Sequence, residues 1–156
     1  MDLIILYLFF TMLLIVPWII WWKTVDRNRL MEILTFGLLL STIVVLLDTT
    51  GIHNQWWIYN SKLVQIIPHL IPMDYSVLPV GYMLTYQFFG SWRRYILAAI
   101  VLSAIGAFII EPFFVYLDIY EQLKWRHFYS FVIYILIAIV IKFTIEQINH
   151  LNHGDS

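Results

Sequence analysis

Asp48, Asp74 and Glu111 stand in stretches that otherwise read as hydrocarbon: TIVVLLDTTG, LIPMDYSVLPV and AFIIEPFFV. An ionisable side chain within a membrane span costs several kcal/mol unless it is paired or faces a cavity, so each needs a partner. Carboxylates grouped in low dielectric cannot all ionise, so such a group would keep at least one proton at neutral pH. That suits a proton donor, a proton-coupled carrier, or a pocket that grips the polar end of an apolar ligand. Segment 56–80, WWIYNSKLVQIIPHLIPMDYSVLPV, supplies the expected counter-charges, Lys62 and His69, and the expected walls, Trp57, Tyr59 and Tyr75. The candidate ligand or partner pocket is therefore Asp48, Trp57, Tyr59, Lys62, Asp74, Tyr75 and Glu111. The plainer reading of Asp48 and Asp74 is interfacial capping by water, and Asp48, followed by Thr-Thr-Gly, fits both equally.

Spacing favours inward-facing carboxyls. Ser103, Ala104 and Ala107 precede Glu111 by eight, seven and four residues, and Gly37 and Ser41 precede Asp48 by eleven and seven. Small residues on the face of a charge mark close helix packing. Pro112 lacks an N–H and so frees the carbonyl of Phe108 beside Glu111. Elsewhere the chemistry is sparse. Lys142 and Glu146 form an i,i+4 pair, read as structural or as a snorkelling lysine. His53 and His69 lack zinc spacing, and His150 and His153 lie in a polar tail, so no metal site is expected. There is no phosphate loop, no G-x-S-x-G and no implied cofactor.

The elements that must hold these residues are membrane helices. Of 156 residues, 62% are hydrophobic and 12% charged, about half the charged share of an ordinary soluble domain. Mean hydropathy is +0.81. A net charge of −1 gives a nucleic-acid partner no electrostatic basis. The absence of cysteine excludes disulfides and thiolate chemistry.

A crossing needs about 20 mostly apolar residues. Segments 3–22, 30–48, 95–117 and 128–145 meet that, and 75–92 is a weaker fifth, interrupted by Ser76, Pro79, Thr85 and Gln87. The first begins Met-Asp with no basic region ahead of it, so it reads as a span rather than a cleaved signal. The expected fold is all-α: one membrane domain, a five-helix bundle with a proline-broken segment between the second and third helices. With the N-terminus outside, Lys23, Arg27, Arg29, Arg93, Arg94 and Lys142 face the cytoplasm, while Lys62, Lys124 and Arg126 face out. The basic bias favours N-out, C-in in a bacterial plasma membrane. Trp18, Trp21, Trp22 and Trp92 would form the inner aromatic belt, and Trp56, Trp57 and Trp125 the outer one. Glu111 lies about 17 residues past Arg94, roughly 25 Å along a helix, which puts it in the outer layer with Asp48 and Asp74. Pro68, Pro72 and Pro79 should prevent one continuous helix and fold residues 62–74 over the outer end.

These stretches also carry a resemblance. W-x-Y (Trp57, Tyr59), P-x-x-x-P-x-D (Pro68, Pro72, Asp74), LPVGYMLTYQF, SWRRY, IEPFF and KWRHFYS resemble an uncharacterised family of small polytopic membrane proteins from spore-forming Gram-positive bacteria. The likeness covers residues 45–148 and implies a small helical bundle in the plasma membrane, with no activity attached. The W-x-Y and proline–acid pattern is faintly similar to membrane lycopene cyclases, but Pro72-Met-Asp74-Tyr75 has one acid where they have two. Tryptophan-rich sensory proteins are set aside, since the loop KTVDRNR lacks their tryptophan–proline motif.

Three functions follow as expectations. The first is binding of a membrane partner, a second copy of the chain, or a lipid or apolar ligand at the pocket. The second is an intramembrane acid/base enzyme on an isoprenoid or lipid, with Glu111 or Asp74 as proton donor. The third is a small proton-coupled carrier, which would need polar residues through the full depth of the bundle.

Overall fold

The computed structural model describes residues 3–153, with side chains to residue 151. The two chain ends and the His153 side chain, which figure in the expectations above, lie outside that description. Helix α1 is Leu3–Thr24 and α2 is Leu30–His53. Strand β1, Trp57–Tyr59, follows, then α3, Leu78–Phe88, and α4, Trp92–Ile105. Helix α5, Glu111–Tyr116, strand β2, Tyr120–Gln122, and α6, His127–His153, complete the chain. Four helical runs, the unbroken Trp92–Tyr116 among them, are long and apolar enough to cross a membrane, and the chain is a multi-pass membrane protein.

Burial follows helical period. On α2, Ile33, Phe36, Gly37, Leu40, Ser41, Val44, Asp48 and Gly51 are buried at steps of three or four, so Asp48 lies on the inward stripe. The opposite face, with Met31, Leu38 and Leu46, is exposed and apolar, as a lipid-facing surface must be. Helix α1 buries only Leu6, Phe10 and Trp21 and is the peripheral member.

Residues 71–88 are helical throughout, and Pro72 and Pro79 lie inside that run, not at breaks. The run passes α2 from end to end. Asp74 adjoins Asp48 near one end of α2, and Tyr86 bonds Glu32 near the other. What makes Pro79 tolerable is a π-turn over Met73–Val77, and an identical device, Gly106–Ile110, precedes Pro112. A proline ring clashes with the carbonyl four residues back and leaves it unbonded, and a widened turn relieves the clash. For Pro79 that carbonyl belongs to Tyr75, and the Trp18 indole donates to it at 2.9 Å. Trp18, half-buried, therefore ties α1 to the bundle, and Trp21 is buried; of the three expected belt residues in α1, Trp22 alone is exposed.

Irregular chain occupies 60–70. A feature without sequence warning is the two-stranded antiparallel clasp, which pairs Trp57 with Gln122, Ile58 with Glu121 and Tyr59 with Tyr120. Each strand is entered from a helix end with a left-handed residue, Gln55 (φ 55°) and Asp118 (φ 56°). In each case the next amide reaches back five residues, Trp56 to the Gly51 carbonyl and Ile119 to that of Phe114, both at 2.9 Å. These are Schellman-type caps with glutamine and aspartate where glycine is usual. The clasp closes one end of the bundle, the cavity end. Arg29, Glu32, Trp92, Lys142 and Glu146 gather at the other.

Candidate functional site

Asp48 is 6% exposed and accepts three hydrogen bonds. Its Oδ1 accepts from the Trp57 indole at 2.7 Å and the Tyr59 hydroxyl at 2.9 Å, and its Oδ2 from the Leu70 amide at a long 3.4 Å. Gly51, one helical turn on, makes room for this. A Cβ there would overlap the Trp57 ring, so only glycine lets the indole lie against α2. Asp74, 2% exposed, adjoins Asp48 within hydrogen-bonding range, and its Oδ2 has no hydrogen-bond partner. Burial, then the Asp48 and Asp74 charges, push the Tyr59 phenol well above its ordinary range, so it donates and does not ionise.

Glu111 sits apart from that pair. His127 Nδ1 is 2.8 Å from its Oε2, the Tyr134 hydroxyl donates to its Oε1 at 2.9 Å, and the Ser130 hydroxyl also reaches it. The Trp125 indole holds Ser130 in turn, at 2.9 Å. Gln122 Nε2 lies 3.0 Å from the same His127 nitrogen. A proton on Nδ1 makes the Glu111 contact a charge-assisted bond, and a neutral Nδ1 accepts from Gln122 instead. The π-turn over Gly106–Ile110 and Pro112 flank Glu111 and aim it toward α6.

Between the two acid groups lies a cavity of about 110 Å³ lined by Asp48, Trp57, Tyr59, Asp74, Glu111, Tyr120, Trp125 and Tyr134, with Val44, Leu47, Leu78, Ile110 and Ile133 among its apolar walls. Leu47 is 39% exposed, so this wall reaches the lipid-facing surface of α2. A dry cavity of roughly 150 Å³ accommodates a benzene ring, so this one suits a small ring or part of an acyl chain. Among the described residues, no three His, Asp or Glu side chains are grouped to hold a metal ion.

Five of the seven residues singled out from sequence thus line one cavity: Asp48, Trp57, Tyr59, Asp74 and Glu111. Two do not. Lys62 forms no ion pair within 4.0 Å among the described residues and lies off the cavity; neutral indole, phenol and amide donors serve Asp48 in its place. Tyr75 turns outward, 44% exposed, because the π-turn that brings Asp74 in carries its neighbour out. Its ring meets His69, and its contribution to packing is the carbonyl held by Trp18. Burial lowers the His69 pKa while the Asp48 charge partly opposes that, so His69 favours the neutral form and is no counter-charge either. His127, Ser130, Tyr134 and Tyr120 were missed as site residues, although His127 and Ser130 belong to KWRHFYS.

The opposite end holds the Lys142–Glu146 pair at 3.0 Å, and Lys142 is only 2% exposed. Its ammonium is 5.0, 5.2 and 4.9 Å from the ring centres of Tyr86, Trp92 and Tyr95 and bonds the Gly90 carbonyl at 3.0 Å. Cation–π contacts with three rings and an ion pair make this a structural lock. Compared with family models, curated proteins and solved structures, the chain matches none of them.

Proposed function

We propose that this chain binds an apolar or lipid ligand in the cavity between Asp48 and Glu111, at the outer end of a five-crossing, N-out, C-in bundle in a bacterial plasma membrane. The observation that carries the reading is one cavity with hydrocarbon walls, a wall residue on the lipid-facing surface, and three carboxyls inside. Carboxyls grip the polar end of a ligand and apolar walls its body, the usual composition of a small-molecule pocket. The fifth crossing is supported by residues 71–88, which run the length of α2. The bacterial setting follows from the resemblance to small membrane proteins of spore-forming Gram-positive bacteria. Docking of a membrane partner or a second copy over the exposed cavity wall is the same reading with a larger ligand.

Native mass spectrometry of the detergent-solubilised chain tests it. The wild type should retain an adduct or take one up from added lipid. Ile110→Trp, which fills the cavity, and Glu111→Leu should both lose it, while Asp155→Leu keeps it. An adduct indifferent to Ile110→Trp would place binding elsewhere.

A second reading, acid/base catalysis on an isoprenoid or lipid, has one observation in its favour. Glu111 is held between His127 and Tyr134, so a proton on Glu111 has both a source and a stabilising neighbour. Turnover of a candidate lipid that disappears in Glu111→Gln would select it.

A further inference from the structure

The proposed ligand can be narrowed by the charge it must carry. Asp48 and Asp74 adjoin in a buried site, where two like charges do not both ionise, and Asp48 accepts hydrogen bonds on both of its oxygens, as the ionised member of such a pair does. Every donor that reaches Asp48 is neutral: an indole, a phenol and an amide. Among the described residues, no lysine, arginine or histidine nitrogen lies within 4.0 Å of either carboxyl. Asp74 lines the cavity, and its Oδ2 is buried and accepts no hydrogen bond. Asp74 Oδ2 therefore lacks a donor and the pair lacks a positive charge, and an ammonium group supplies both.

The walls agree with that group. Trp57, Tyr59 and Trp125 present aromatic surface to the cavity, and aromatic faces attract cations. Apolar residues around Leu47 and Leu78 would take a hydrocarbon body. An aminolipid headgroup fits less well, because its phosphate would enter a cavity holding three carboxyls and no lysine or arginine. We propose that the ligand is a hydrophobic amine, bound as its ammonium on the Asp48–Asp74 pair with its apolar body in the cavity. This rests on the pocket reading above and adds the sign of the charge.

The test uses the full chain in nanodiscs of zwitterionic phosphatidylcholine and three isosteric probes: benzylamine, benzyl alcohol and benzoate. Tryptophan fluorescence and the thermal midpoint report binding, since a ligand of the native state raises the midpoint saturably. Benzylamine should bind at least tenfold more tightly than benzyl alcohol, with benzoate not binding. Asp48→Asn and Asp74→Asn should each abolish the preference. The comparison among probes on the wild type decides the matter even if neither variant folds. Equal binding of benzyl alcohol and benzylamine would overturn the amine assignment and leave the apolar pocket standing. Binding of neither would overturn both. A tenfold weakening of benzylamine in nanodiscs containing phosphatidylethanolamine would assign the site to a lipid headgroup and overturn the free amine.

Discussion

Asp48 carries more structure than any other polar residue at the cavity end. Its oxygens fix the Trp57 indole, the Tyr59 hydroxyl and the Leu70 amide, so one side chain orients β1 and the end of the irregular segment 60–70. Removing a shared acceptor strands buried donors at roughly 1–3 kcal/mol each. Asp48→Leu should therefore cost about 3 kcal/mol or more in reversible unfolding in mild detergent. Asp48→Asn, which retains one acceptor oxygen, should cost about half as much. A neutral result for Asp48→Leu would mean that these donors find water instead. Lys142 shows the opposite arrangement, a single cation satisfied by three rings, a carboxylate and a carbonyl. Both residues look alike in sequence, lone charges in apolar runs, and only their neighbours across the bundle separate a cavity from a lock.

Among the elements, α2 and the clasp depend on Gly51. Gly51→Ala would drive a methyl into Trp57, a rigid ring pinned by Asp48 on one side and packed against Trp125 on the other, at centroids 4.9 Å apart. Overpacking of this kind costs about 1–3 kcal/mol. Loss of the Trp57 near-ultraviolet circular dichroism signal at unchanged helix content is the expected signature. Gly37→Ala is the milder control, since the obstacle there is the flexible Met83 side chain. The apolar lengths and the small-residue faces of α2 and α4 were legible in the sequence because they rest on local period. The clasp was not, because three-residue strands carry no period and their pairing joins residues about 60 apart. Tyr75 was misplaced for a related reason: an ordinary helical projection does not anticipate a π-turn. His127 escaped because its partner Glu111 lies on another helix.

The whole molecule has polar chemistry at both ends and an apolar middle. Phe36, Leu40, Val44, Met83, Ala99, Ala138 and Ile141 fill the layer between, with the Tyr82–Ser103 hydrogen bond of 2.7 Å as a polar contact inside it. No chain of acids links the two ends among the described residues. The six-to-three basic count still fixes the expected orientation. Because the chain has no cysteine, Ser61→Cys and Arg27→Cys offer a clean test with an impermeant thiol reagent on intact cells. Labelling at position 61 and not at 27 is expected, and the reverse would invert the molecule and put the cavity in the cytoplasmic leaflet.

The π-turn at Met73–Val77 gives residue number itself a role. A π-turn is an α-turn with one residue too many, and each helical residue accounts for about 100° of rotation. Deleting Val77 would remove the extra residue and force the segment toward α-helical register, with Val80–Phe88 kept in place by α2 and the Pro79 clash taken up as a kink. Everything upstream would then rotate by about that angle, carrying Asp74 away from Asp48. The cavity would lose an acid without losing any acid from the sequence. A single codon's worth of length, not the chemistry of a side chain, is what holds the pair together, and a deletion scan across 73–77 should disable ligand retention while most exposed substitutions there do not.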